Sequence, residues 1–157
     1  MQLKLKRVTA LLTTQQKLIC TAESCTGGQL AMWLTELAGS SDWFDCGFVT
    51  YSNASKINQL DVSPDLLATQ GAVSEPVALA MAEGALLQSQ AHIAVAVTGI
   101  AGPSGGTPSK PVGTVCFAIA SKDKSVSKTH YFDGKDRQTI RAQSCLYALT
   151  MAEQFIA

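Results

Sequence analysis

Hydrophobic positions along the chain alternate between helical and strand spacing. Leu5, Val8, Leu11 and Leu12 are spaced for one face of a short helix. The apolar run over 17–20 reads as a first strand. Leu30, Trp33, Leu34 and Leu37 then make the stripe of a helix over 30–38, which Gly39 ends. A β-rich run covers 44–51, and Ser52 and Asn53 are residue types that cap a helix, here one over 54–60. Pro64 opens another short helix at an N-terminal position that tolerates proline.

Ser74, Glu75 and Pro76 start a long alanine-rich helix reaching to residue 90. The strand over 92–97 places Ile93, Val95 and Val97 on one side and Ala94 and Ala96 on the other. With both faces apolar, it belongs in the middle of a sheet covered on both sides. Two more strands, over 112–120 and 125–132, are joined by the charged turn Lys122-Asp123-Lys124, and so short a connection makes them antiparallel. The last helix, over 136–156, carries Ile140, Ser144, Tyr147, Met151 and Phe155 as one stripe. This order predicts a three-layer α/β/α sandwich with a mixed sheet, a single domain over residues 1–157.

Composition narrows the function classes. Twelve basic and twelve acidic residues cancel, so the chain carries no basic footprint for nucleic acid. Charged residues make up only 15%, against a usual value of about 25%, which suggests surface buried against another copy as a homodimer or higher homo-oligomer. Five cysteines (Cys20, Cys25, Cys46, Cys116, Cys145) show neither C-x-x-C pairing nor metal-ligand spacing, so no metal and no disulfide framework is expected. The N-terminus lacks a signal-peptide pattern, and no apolar run approaches the roughly 20 residues that span a bilayer. A soluble, cytoplasmic protein with no membrane partner is the expectation.

Candidate chemistry gathers in three polar stretches where strands run out: 21–28, 51–56 and 98–106. Ligands of open α/β sheets bind outside strand ends, which places these loops on one crevice. The first offers Ser24, Cys25 and Thr26 beside Gly27 and Gly28, the turn of a helix start whose N–H groups can face a developing oxyanion. A serine attacks only when a base takes its proton. His92 and His130 lie at or within strands and are poor candidates. Lys56, in the first turn of the helix behind Ser52 and Asn53, serves if burial lowers its pKa. Cys25 is the rival nucleophile, because a thiolate is favoured near a helix N-terminus. The 98–106 loop is rich in glycine but lacks the P-loop pattern, and Arg137 and Arg141 stand one turn apart as a possible clamp for phosphate or carboxylate.

Six stretches carry a family resemblance: Ala22 to Gly28, Ala38 to Ser41, Val49 to Asn53, Gly71 to Pro76, Thr98 to Pro103 and Lys110 to Val115. In this order, and from about residue 5 to the end, the chain resembles the CinA C-terminal-domain family, the nicotinamide-nucleotide amidohydrolases. The N-terminal nucleotide-binding domain of longer members is missing from this sequence, so the likeness is to the stand-alone deamidase form. The resemblance implies hydrolysis of nicotinamide mononucleotide to nicotinate mononucleotide and ammonia, in pyridine-nucleotide salvage, without cofactor. It further implies Ser24 as nucleophile, Lys56 as base and Tyr51 as a group that orients or relays the proton. Expected substrate contacts are Glu23, Thr26, Gly27, Gly28, Asn53, Thr98, Gly99, Gly102, Gly105 and Arg137, the last with the 102–106 backbone around a ribose phosphate. The expected oxyanion donors are N–H groups of 26–28 or Gly99. Ser55 stands where the family often carries alanine or another small residue. The competing reading is a non-catalytic nucleotide-binding or regulatory module of the same fold.

Overall fold

A computed structural model of the protein describes residues 1–134 and 136–157. Among the described residues, six α-helices flank one five-stranded sheet: α1 (Gln2–Thr14), β1 (Ile19–Glu23), α2 (Gln29–Leu34), β2 (Phe44–Val49), α3 (Asn53–Leu60), α4 (Pro64–Gln70), α5 (Glu75–Leu87), β3 (Ile93–Gly99), β4 (Thr114–Ser121), β5 (Ser125–Tyr131) and α6 (Arg137–Ile156). The strand order is β2-β1-β3-β4-β5. The first three strands of that order run parallel, and β4 runs antiparallel to both of its neighbours, β3 and β5.

The two faces of β3 divide the core as its alternation requires. Ile93, Val95 and Val97 join Phe117 and Ile119 under α1, α2 and α6, with Leu5, Leu12, Leu30, Ile140 and Leu149 in contact. Ala94 and Ala96 face the other way, onto Leu60, Leu67, Val77, Met81 and Ala82 of α3, α4 and α5. That is the expected α/β/α layering with β3 central. Small side chains on the second face let α5 lie close against the sheet, and Gly84 lets it lie close against α3: a Cβ there would stand 2.0 Å from the Leu60 carbonyl oxygen.

Element boundaries differ from the expectations at two places that matter for the site. The first strand runs to Glu23 rather than stopping at residue 20. Thr21 and Glu23 are polar but fully buried, because their side chains meet each other and the start of α2. The second helix is shorter than expected and stops at Leu34, not Ala38. There the Trp43 indole N–H donates to the Leu34 carbonyl at 2.8 Å, and the chain departs through a short 3-10 turn after Gly39. Among the described residues, no helix is long and apolar enough to cross a membrane.

Candidate active site

Three chain segments meet at the carboxyl ends of β1 and β3. Ser24 follows β1 directly, and its N–H donates to the Val97 carbonyl of β3 at 2.9 Å, which locks the Ser24 turn to the central strand. Thr50 closes β2 alongside, its N–H on the Glu23 carbonyl at 2.8 Å. The third segment is the β3 exit, where Thr98 and Gly99 face a cavity of about 190 Å³. Ser24, Cys25, Tyr51, Lys56, Ala72, Val73, Ala101 and Arg137 complete its lining.

Helix α3 delivers Lys56. Its N-cap Ser52 and N3 residue Ser55 form a capping box, each side chain satisfying a backbone N–H of the other. The serine at 55, where the family often carries alanine or another small residue, has this structural use. One turn after Ser52, Lys56 is only 1% exposed. Its Nζ lies 3.0 Å from Ser24 Oγ, 2.8 Å from the Thr50 carbonyl and 3.3 Å from the Tyr51 carbonyl. No carboxylate forms an ion pair with it among the described residues. Burial without a counter-ion lowers its pKa below the ordinary lysine value, which favours the neutral amine.

Cys25 also lines the cavity, but burial pushes its thiol up to about 12. At neutral pH it is a thiol rather than a thiolate, so it is a weak nucleophile there. The other candidates separate clearly. Tyr51 gives Lys56 its backbone carbonyl, while its phenol oxygen accepts from Arg137 Nη2 at 3.1 Å on the cavity rim. Arg137 also donates to the Gly102 carbonyl at 2.7 Å, which ties the glycine-rich loop to α6.

Several expected ligand contacts lie elsewhere. Glu23 is fully buried, and its two carboxyl oxygens accept from the N–H groups of Gly28, Leu30 and Ala31 and from the Thr21 hydroxyl. It holds the start of α2 and has no surface for a substrate. Thr26 is likewise 0% exposed and does not line the cavity. Nor do Gly27, Gly28, Asn53, Gly102 or Gly105. Gly27 and Gly28 instead turn the chain with φ of +58° and +90°, a region that disfavours side chains. Their N–H groups are spent on the Ser24 carbonyl and on Glu23, so the expected oxyanion donors at these two positions are already engaged. The Cys25 and Thr26 N–H groups, by contrast, have no acceptor among the described residues. Arg141 is no clamp beside Arg137, since it points behind the turn and donates to the Thr26 carbonyl at 2.7 Å.

Ala72, Val73 and Ala101 were not foreseen as lining residues. They are small apolar side chains with no chemistry of their own, and only their position marks them. A larger cavity, of about 1000 Å³, opens at the other end of the sheet between α5, β3 and the α6 C-terminus. It is lined chiefly by Leu86, Leu87, Ile93, Phe155 and Ile156 with scattered charges of both signs, and holds no paired nucleophile and base. Among the described residues, no group of His, Cys, Asp or Glu has the arrangement of a metal site.

A family model described as the CinA C-terminal domain matches residues 2–156. The chain belongs to that family. Among CinA relatives, nicotinamide-nucleotide amidohydrolase PncC of Escherichia coli K12 is 50% identical over 140 residues, covering 88% of this chain and 84% of PncC. A putative competence-damage inducible protein of Symbiobacterium thermophilum is 49% identical over 155 residues, and there the match covers 93% of this chain but only 36% of the relative. The CinA domain here therefore spans about a third of the longer relatives and most of the shorter ones. In three dimensions it is similar to the crystal structure of a competence/damage inducible protein from Agrobacterium tumefaciens, with TM-score 0.92, 45% identity, and 94% and 90% of the two chains covered. A CinA superfamily protein of Klebsiella pneumoniae matches with TM-score 0.93 at 36% identity, over 98% of this chain and 95% of its own.

Proposed function

We propose that this CinA domain is a nicotinamide-nucleotide amidohydrolase that converts nicotinamide mononucleotide to nicotinate mononucleotide and ammonia by a serine–lysine mechanism. The observation that carries the reading is the 3.0 Å contact between a buried, ion-pair-free Lys56 amine and Ser24 Oγ. Likeness to proteins named PncC supplies the substrate class.

In the proposed sequence, neutral Lys56 takes the Ser24 proton as Oγ attacks the carboxamide carbon. The electron pair of the carbonyl moves to oxygen, and the oxyanion is held by the Cys25 N–H. As the tetrahedral intermediate collapses, the C–N bond breaks and Lys56 returns its proton to the departing ammonia. Water, deprotonated by the same amine, then releases the acid from Ser24. Tyr51 and Thr50 aim Lys56 through their carbonyls rather than by proton relay, since the Tyr51 phenol is turned to Arg137.

A cavity of about 190 Å³ lies below the roughly 300 Å³ at which ligand pockets usually begin. It suits a pyridine carboxamide ring and leaves the ribosyl phosphate at the mouth, where Arg137 and the Gly102 loop stand. Exposed Met32, Val49 and Tyr51 favour a second copy as the partner of this edge, a point for light scattering to test. The function is tested by ammonia release from nicotinamide mononucleotide. Wild type and Cys25→Ala should turn over and Ser24→Ala should not; binding without ammonia release in the wild type would instead favour the non-catalytic module.

A further inference from the structure

Arg141 is a cation without a visible charge partner. It sits half-buried on α6, with its Nε shielded from solvent and unbonded, and it makes no ion pair among the described residues. Its one hydrogen bond among the described residues crosses 115 positions of sequence, from Nη2 to the Thr26 carbonyl. The guanidinium lies directly against the turn, since a Cβ on Gly27 would stand 3.4 Å from Nη2, at van der Waals contact.

That carbonyl begins a short chain of polarised peptides. The Thr26 carbonyl belongs to the same peptide unit as the Gly27 N–H, which donates to the Ser24 carbonyl at 3.1 Å. The Ser24 carbonyl in turn shares its peptide unit with the Cys25 N–H, the group left without an acceptor beside the cavity. A cation on the first oxygen withdraws electron density along the series and makes the last N–H a stronger donor. The same contact holds the turn rigid where Glu23 does not reach, because Glu23 fastens only its far end, from Gly28 to Ala31.

We infer that Arg141 is a positioning residue for the Ser24 turn, which orients and polarises the Cys25 N–H through the Thr26–Gly27 and Ser24–Cys25 peptide units. The inference rests on the amidase reading, and it gives Arg141 work in the transition state rather than in substrate affinity. Arg137, four positions earlier on the same helix, faces the cavity mouth and acts on the bound substrate instead.

Steady-state ammonia release from nicotinamide mononucleotide, for wild type, Arg141→Met, Arg141→Lys and Arg137→Met, provides the test. Misplacement of a catalytic group by a fraction of an ångström to 1 Å can cost about 10²-fold, and we expect a loss in kcat of that order for Arg141→Met, with KM unchanged. Arg141→Lys, which keeps a cation but not the planar fork, should fall between it and wild type, and Arg137→Met should act mainly on KM. In parallel, the rate at which a fluorophosphonate probe labels Ser24 should fall with kcat at unchanged melting temperature. Folded Arg141 variants with wild-type kcat and labelling rate, or with a change in KM alone, would overturn the inference. If Arg141→Met does not fold, Arg141→Lys decides by the same readouts. If the wild type releases no ammonia, the amidase reading fails. The labelling rates then still judge Arg141: slower labelling in its folded variants supports the positioning role, and unchanged labelling refutes it.

Discussion

Lys56 Nζ lies 3.0 Å from Ser24 Oγ across 32 positions of sequence, inside a pocket where the lysine has lost nearly all contact with water. Two carbonyls and the serine oxygen surround the amine, and no carboxylate balances its charge among the described residues. Such an amine is cheapest to bury neutral, which is the state a general base requires.

Replacing Lys56 by methionine keeps the apolar stem and removes the base. General-base assistance is commonly worth about 10²–10⁴ in rate, and ammonia release by Lys56→Met should fall by that order. Lys56→Arg should be equally inactive, because guanidinium does not deprotonate near neutral pH. Retention of wild-type kcat by either variant at pH 7 would remove Lys56 from the mechanism.

The lowered pKa of Lys56, caused first by burial, also sets two pH dependences. Activity should rise with pH through the depressed Lys56 value and then level, as the amine loses its proton. For stability the sign is the same. Between the folded value and the ordinary one of 10.5, the unfolded chain binds the extra proton and the folded chain does not, so stability gained from this group grows with pH and is lost below the folded value. Denaturant melts of wild type and Lys56→Met across pH 6–10 check this, the expected result being a shallower rise in the variant.

Glu23→Gln separates a structural from a ligand-binding role for the carboxylate at the end of β1. The amide puts an N–H₂ where either the Ala31 N–H or the Gly28 and Leu30 N–H groups now find an acceptor. A loss of about 1–3 kcal/mol in unfolding free energy is expected for a buried donor left unpaired. Calorimetry should find the proposed product, nicotinate mononucleotide, bound with little change in affinity by the folded fraction.

Gly84→Ala tests the packing that carries α3 to the site. Its Cβ would meet the Leu60 carbonyl at 2.0 Å, so α5 and α3 must separate, and overpacking of this kind costs about 1–3 kcal/mol. Because Lys56 rides on α3, kcat should fall along with the melting temperature. A variant with lowered stability but wild-type kcat would show that the dyad tolerates the shift.

By itself the sequence determined the layered α/β frame and put Ser24 and Lys56 forward as a candidate pair. The apolar period on each face of Ile93 to Val97 is a local property, and it demands a central strand with helices on both sides wherever that strand ends up. Ser24 and Lys56 stood out through the ordered family stretches around them and the need of a serine for a base, since polar residues at a strand exit or helix start are common in themselves. What only the tertiary structure decided was where hydrogen bonds go. Glu23 looks the same in sequence whether it faces a ligand or the first turn of α2, and its two oxygens are committed only once that turn folds back over the end of β1. The Gly27 and Gly28 N–H groups were likewise offered to a substrate until the turn consumed them. Arg141, 115 positions from Thr26, has no local signal at all. Secondary structure is written in spacing along the chain, but the partner of a buried polar atom is set by which distant segments close around it.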